Sequence, residues 1–268
     1  MSERTTLSET TAPSGPLNHW QTMQPKFGYG PGEAPDANKS SAKLSAVLAA
    51  ALRTSVYGPA IAQAGSFAQL SPIGIHAYLE NKDQFRNPAG TAAKPRTVPE
   101  APRAICGSLE ELLRLAARVA TKKTAPPTSA RRLTIRTPLG ERLASDSARD
   151  SLWRAFELPL FEELTGSEGE LLGAECEAHL GFHLETDSAI FEAWYGELVV
   201  TSLVAVRYPI LRLRTGWVGA IERCACPCGE RVTRFVPVLA IAAPARKPPV
   251  EIRTPRRTAD ETAAAAVV

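Results

Sequence analysis

The sequence predicts an α/β protein whose last part is an antiparallel β region. Three observations indicate this fold class: a helix with a clear N-terminal cap, an alternation of strand and helix patterns after that helix, and a late β-branched run. The chain has 268 residues, which is enough for one or two domains. We predict that the α/β core spans residues 104–240.

The element with the strongest pattern is a helix that begins after Ser108. Ser108 and Glu111 have the spacing of a capping box, in which each side chain accepts a hydrogen bond from the backbone N–H of the other residue. The apolar residues that follow have helical spacing; they are Leu109, Leu112, Leu113, Ala116, Val119 and Ala120. The pattern predicts a helix over 108–120 with one buried face.

Strand and helix patterns alternate after this helix. Ser145 or Asp146 is suited to cap a second helix, whose apolar residues lie four positions apart; they are Ala148, Leu152 and Phe156. The predicted strands are short and rich in apolar or β-branched residues; they cover 133–137, 158–161, 197–206 and 211–214. In the last of these, apolar and charged residues alternate, which is typical of a half-exposed strand.

Composition changes outside the predicted core. Residues 1–43 are rich in Ser, Thr, Pro and Gly and lack an apolar period, so we expect a disordered N-terminal tail. Residues 44–90 favour a short helical segment, and residues 91–103 favour a proline-rich linker. Residues 241–268 contain proline, alanine and mixed charge, and we expect a flexible tail there.

Charge and cysteine content narrow the class of protein. The chain has 31 Lys and Arg against 28 Asp and Glu, a net charge of +3 that argues against nucleic acid or a membrane surface as a partner. No apolar run approaches the roughly 20 residues of a membrane helix. The five cysteines are odd in number and three of them cluster, which favours reduced thiols over disulfides. We therefore expect a cytoplasmic protein.

The cysteines and histidines also predict a metal site. Cys176 and His183 lie seven positions apart, and Cys226 and Cys228 lie two apart much later in the chain. Together they provide three sulfur ligands and one nitrogen ligand, the set of a closed structural zinc site. Cys224 and His179 are spare ligands for a shifted register, and the alternative is a set of free thiols and surface histidines.

Five segments carry a resemblance to a known family. In chain order they are Gly140-Glu141 before Leu143, the stretch Phe161–Glu168, the stretch Gly173–His183, the stretch Gly196–Trp217, and the turn Cys226–Gly229. In form and order they resemble the adenylation-domain motifs of the phenylacetate-coenzyme A ligase family, which belongs to the AMP-forming acyl ligases. The resemblance covers residues 104–235, about half of the chain, and some members of that family hold zinc at similar positions.

The resemblance implies a partial adenylation-domain core and an ancestral two-step reaction. ATP with Mg²⁺ would activate a small carboxylic acid as acyl-AMP, and coenzyme A would then displace AMP. The resemblance implies that five residues contact the nucleotide: Ser167, Glu168, Arg214, Thr215 and Gly216. Among them, Glu168 would bind the Mg²⁺ ion.

Three departures from the family pattern indicate that the reaction is impaired. The glycine-rich phosphate loop is missing, Trp217 replaces the aspartate that binds the ribose, and no domain with the catalytic lysine is recognisable. We therefore expect a divergent, truncated member whose activity as an enzyme is uncertain. The alternatives are a non-catalytic, zinc-stapled binding module or partner subunit that recognises another protein, and a gene remnant.

Overall fold

The structure is a computed structural model that describes residues 37–91, 104–122 and 129–238. Its fold is mixed α/β, with helices flanking a large mixed sheet, and this confirms the predicted fold class. The predicted disordered and flexible tails lie outside the described residues, with one exception. Residues 37–43 of the predicted N-terminal tail belong to the first helix, which begins at Ala37. Most of the predicted linker also lies outside them.

The described residues form five helices and ten strands. The helices are α1 (Ala37–Ala51), α2 (Tyr57–Ala64), α3 (Ile75–Glu80), α4 (Leu109–Ala120) and α5 (Asp146–Phe156), with 3₁₀ turns at Phe67–Gln69 and Lys82–Phe85. The strands are β1 (Ile73–Gly74), β2 (Ala104–Gly107), β3 (Arg132–Pro138), β4 (Leu160–Thr165), β5 (Leu171–Glu175), β6 (Phe182–Leu184), β7 (Ala189–Trp194), β8 (Glu197–Ser202), β9 (Leu213–Ala225) and β10 (Arg231–Pro237). Their order in the sheet is β2-β3-β4-β5-β6-β10-β9-β8-β7, and β1 pairs with β9.

The parallel part of the sheet carries the helices that the sequence predicts. Strands β2, β3 and β4 are parallel, and α4 and α5 pack on one face of them. The capping box forms: Ser108 Oγ accepts a bond from the N–H of Glu111, and Glu111 Oε2 accepts one from Ser108 N–H at 2.9 Å. Ser145, rather than Asp146, caps α5 by accepting from Ala148 N–H.

The antiparallel part shares a hydrophobic core with the N-terminal helices. This core includes Val47 and Tyr57 from the helices together with Leu211, Leu213 and Phe235 from the sheet region. The Tyr57 hydroxyl donates to the Leu211 carbonyl and accepts from the Leu211 N–H, both at 3.1 Å. The segment predicted as short helices therefore packs directly on the sheet.

The prediction of a half-exposed strand at 211–214 is wrong in two respects, which are the residue where the strand begins and the exposure of Arg212. Strand β9 begins at Leu213, and Arg212 is buried. The Arg212 guanidinium donates to the backbone carbonyl of Leu70 at 2.6 Å and to Glu192 at 3.1 Å. An alternation of apolar and charged residues indicates exposure only if the charged side chain has no partner in the protein interior, and Arg212 has three acceptors, including the Ala68 carbonyl.

Two other predicted elements have different limits. The segment at 197–206 is a strand only to Ser202, because its side chain accepts from the N–H of Ala205 at 3.0 Å and so closes a turn. The segment at 44–90, which is predicted to be helical, also contains the short strand β1 and two 3₁₀ turns. None of the helices in the described ranges combines the length and the apolar character that crossing a membrane requires.

Candidate metal centre

Four side chains with metal-binding chemistry meet at one end of the antiparallel sheet. Cys176 directly follows β5, His183 lies on β6, and Cys226 and Cys228 lie in the turn between β9 and β10. Strand β6 pairs with β5 on one side and with β10 on the other. The sheet order thus brings together two segments that are far apart in sequence.

The distances between the ligand atoms fit one tetrahedral ion. The four ligand atoms all lie within 4.8 Å of one another. The sulfurs of Cys176 and Cys226 are 3.6 Å apart, and the Cys228 sulfur is 3.8 Å from His183 Nε2. With zinc–sulfur bonds of about 2.3 Å, tetrahedral geometry places two sulfurs about 3.8 Å apart. A disulfide would need about 2.05 Å, and all five cysteines are free.

The turn that presents two of the cysteines is closed by backbone hydrogen bonds. Cys226 N–H donates to the Glu230 carbonyl at 2.8 Å, and Gly229 N–H donates to the Cys226 carbonyl at 2.9 Å. Gly229 has a φ of +98°, a conformation that glycine adopts without strain. The closed turn holds the sulfurs of Cys226 and Cys228 within 4.8 Å of the other two ligand atoms.

The loop between Cys176 and His183 depends on a second glycine. Gly181 has a φ of +111°, and a Cβ at this position would lie 2.3 Å from the Phe235 carbonyl oxygen. Only glycine allows the loop to approach β10 this closely. The approach places His183 directly opposite Arg234 of β10.

The electrostatics of the centre favour a thiolate at Cys226. The backbone N–H of Cys228 and the side chain of His183 lower the pKa of the Cys226 thiol to about 6. Burial raises the pKa of Cys176, its neighbour in the cluster. A thiolate is the form that binds a metal ion, so Cys226 is ready to bind at neutral pH.

The two spare ligands of the sequence prediction lie outside the cluster. Cys224 is exposed, and its sulfur lies 3.9 Å from a Glu222 carboxylate oxygen. The ring of His179 stacks on Phe161 with centroids 5.2 Å apart, and its Nδ1 is 3.8 Å from Glu175. The register that the structure adopts is therefore the first one predicted, with Cys176, His183, Cys226 and Cys228.

A buried ion cluster lies beside the metal centre, and sequence reasoning missed it. Arg149 donates to Glu162 at 2.6 Å and to both oxygens of Glu175 at 2.9 and 3.0 Å. The Glu162 side chain is fully buried, and burial raises its pKa although Thr137 and Arg149 oppose the rise. The sequence pattern could have indicated this burial, because Glu162 shares the buried face of β4 with Leu160 and Leu164.

A cavity of about 530 Å³ lies beside this ion cluster, and none of the four candidate metal ligands lines it. Its wall combines charged and apolar side chains; they include Arg149, Glu175, His179, Phe182, Glu222 and Arg234. The charged groups of the wall are already paired with one another, since Arg149 binds two carboxylates and Arg234 binds Glu222.

Glu168, the predicted Mg²⁺ ligand, is held by hydrogen bonds within the chain. Glu168 Oε1 accepts from the backbone N–H groups of Arg207 at 3.1 Å and Tyr208 at 2.9 Å. The Ser167 hydroxyl is buried, and Ser167 and Glu168 are neighbours of the buried Tyr78 hydroxyl. These contacts fix a turn, and their part in nucleotide binding stays a prediction.

The second predicted nucleotide segment lies in β9, where its pairing with β8 is irregular. Arg214 and the N–H of Gly216 both bond to the Glu197 carboxylate, at 2.8 and 2.7 Å. The Thr215 hydroxyl donates to the Leu198 carbonyl and accepts from the N–H of Trp217. The Thr215 hydroxyl therefore points into the protein, whereas the Gly216 N–H is bonded to Glu197 at an exposed position.

Comparisons with known proteins find similarity of structure only. The sequence matches no family model and none of the curated proteins compared with it. Three similar solved structures are of 2-hydroxyisobutyryl-CoA ligase, and each covers 50% of this chain. They are an open conformation in complex with 2-HIB-AMP and CoA (20% identity, TM-score 0.42), a postadenylation state with 2-HIB-AMP (20%, 0.41) and a thioesterification state with 2-HIB-AMP and CoA (22%, 0.41).

The matched region is a minor part of these ligases. The chain covers 32% of the first structure and 31% of the other two, so it spans about a third of their length. At these identities the comparison concerns the fold alone. The finer resemblance to phenylacetate-coenzyme A ligases, which the five sequence motifs indicate, stays a prediction.

Proposed function

We propose that this chain is a zinc-binding α/β module in which the ion is structural. The observation that carries the proposal is the meeting of Cys176, His183, Cys226 and Cys228 within 4.8 Å. Three thiolates and one imidazole fit zinc, and four protein ligands leave no open position for a substrate or a reacting water. Zinc would join the end of β5, strand β6 and the β9–β10 turn.

Metal analysis of the purified chain tests this proposal. We expect about one zinc ion per chain after purification without chelator, because thiolate centres of this kind bind zinc tightly. Chelation should lower the unfolding temperature, and added zinc should restore it. A chain that unfolds cooperatively and contains no metal before chelation would contradict the proposal. Free thiols at this centre also favour a reducing compartment such as the cytoplasm.

A second candidate function is ATP-dependent activation of a carboxylic acid, for which the motif resemblance is the basis. The observation in its favour is that two of the motif segments, Gly140–Leu143 and Gly196–Trp217, contact each other. The Trp217 Nε1–H donates to the Glu141 carbonyl at 2.8 Å, and Gly140 and Gly216 both lie against Ile75. However, the Trp217 indole is buried at the position where the family has its ribose-binding aspartate. Nucleotide binding is therefore better supported than turnover to a coenzyme A thioester.

Calorimetric titration with ATP and with AMP, in the presence of Mg²⁺, tests the second candidate. It predicts saturable binding that is weakened when Arg214 is replaced by alanine, with Arg136→Ala as a control on the same protein. Arg136 is also a half-exposed arginine paired with a glutamate, but it lies on β3. If the folded protein gives no binding heat at millimolar nucleotide, the nucleotide-binding function is excluded and the zinc module remains.

A further inference from the structure

Arg234 is a buried cation beside the four metal-binding side chains. It lies on β10, where the strand register pairs it with His183 of β6 and with Glu222 of β9. Directly paired residues of neighbouring strands share one face of a sheet. Arg234 therefore lies on the same face as the ligand His183, and only 9% of its surface is exposed.

Only part of the Arg234 guanidinium has a partner. Its Nη2 donates to Glu222 Oε2 at 2.7 Å. Its Nε and Nη1 are buried and have no hydrogen-bond partner among the described residues. A buried donor without an acceptor destabilises the folded state, so native proteins rarely keep one. Arg234 Nε and Nη1 are therefore free to donate to a further acceptor in the protein.

The sulfur of Cys226 is a suitable acceptor for these donors. Cys226 is buried, its sulfur lies within 4.8 Å of the His183 ligand nitrogen, and Arg234 lies directly opposite His183 in the sheet. A zinc ion with three thiolates and a neutral histidine has a net charge of about −1. A guanidinium beside the centre offsets this charge, and it can donate to sulfur and to a carboxylate at the same time.

We propose that Arg234 is a positioning residue of the metal centre. In the zinc-bound protein, an N–H of its Nε or Nη1 donates to the Cys226 thiolate sulfur, while Nη2 continues to bind Glu222. The proposal rests on the zinc centre proposed above. Hydrogen bonds to metal ligands from surrounding residues typically change metal affinity about 10- to 100-fold.

The experiment compares three variants with the wild-type chain. Arg234→Gln removes the cation, and Arg234→Lys keeps the charge but loses the planar array of donors. Glu222→Gln is the matched control, because it breaks the observed ion pair and leaves Arg234 in place. Zinc affinity is measured by competition with a chromophoric chelator. The thiolate-to-metal charge-transfer band of the Co²⁺-loaded protein reports on the sulfur itself, and circular dichroism checks the fold.

We expect Arg234→Gln to weaken zinc binding about tenfold or more and to shift the Co²⁺ charge-transfer band to longer wavelength. The band shifts because a sulfur that loses a hydrogen bond is more easily oxidised. Arg234→Lys should show the same shift with a smaller loss of affinity, and it provides the answer if Arg234→Gln does not fold. Glu222→Gln should leave the band in place.

Two other results overturn the inference, and they are distinguishable. If wild-type protein binds about one metal ion and both Arg234 variants keep its affinity and band position, Arg234 does not contact the sulfur, and the zinc centre itself stands. If the wild-type chain binds no metal, the zinc proposal fails and this inference fails with it.

Discussion

Replacing Cys226 with serine is expected to remove zinc from the chain and to lower its unfolding temperature by roughly 10 °C. At a free zinc concentration about 1,000 times the dissociation constant, binding contributes about 4 kcal/mol to the free energy of unfolding. For a domain of this size, 1 kcal/mol corresponds to a shift of about 2–4 °C. Cys226 is the ligand to mutate, because it is buried and close to both Cys176 and His183.

The control for this prediction is Cys224→Ser. Cys224 is only two residues away, but its side chain is exposed and lies outside the group of four. This variant should keep about one zinc ion and the wild-type unfolding temperature. Metal analysis and thermal unfolding of the two variants, side by side, provide the measurement. Equal effects of the two substitutions would show that the sulfur of Cys226 has no special role.

Replacing Arg149 with methionine is expected to lower the free energy of unfolding by about 3–5 kcal/mol at neutral pH. The substitution keeps the aliphatic stem and removes the cation that binds Glu162 and Glu175. Glu162 would then remain as a buried charge whose bonds to Thr137 and Ala144 are its other contacts. Denaturant unfolding at neutral pH measures this loss.

The same variant should show a defined pH dependence. Burial raises the pKa of Glu162 above its value in the unfolded chain, and loss of Arg149 would raise it further. A carboxyl group of this kind destabilises the folded state above its folded pKa, and the penalty declines as pH falls toward the ordinary value of about 4.5. The difference from wild type should therefore shrink between pH 7 and pH 5.

Arg136→Met is the matched control for Arg149→Met. Arg136 lies on the neighbouring strand β3 and pairs with Glu163, but its side chain is half exposed and the two charges are 3.7 Å apart. An exposed pair of this kind contributes about 0–1 kcal/mol. If the Arg149 variant is no less stable than the Arg136 variant, the buried ion cluster does not stabilise the fold as its geometry indicates.

Local patterns in the sequence were enough to predict the elements next to the parallel strands. The capping box at Ser108 and the cap at Ser145 involve residues three positions apart, so their geometry is present in the sequence itself. The grouping of Cys176, His183, Cys226 and Cys228 was also predicted, because three thiols and one imidazole are the ligand set of a structural zinc site. What the sequence did not contain was the order of strands that brings His183 next to the Cys226–Cys228 turn.

The residues that sequence reasoning missed depend on partners that are distant in the chain. Arg212 is buried because the carbonyls of Ala68 and Leu70 and the Glu192 carboxylate accept its N–H groups. Arg234 lies beside the metal centre through the pairing of β10 with β6. An arginine in an alternating strand is usually exposed, and only the tertiary structure shows which ones are not.

X-ray absorption spectroscopy at the zinc edge of the purified chain identifies the atoms that bind the ion. We expect a first shell of three sulfur atoms at about 2.3 Å and one nitrogen atom at about 2.0–2.1 Å. These would come from Cys176, Cys226, Cys228 and His183. A shell of oxygen and nitrogen atoms without sulfur, or a cooperatively folded chain with no zinc at all, would contradict it.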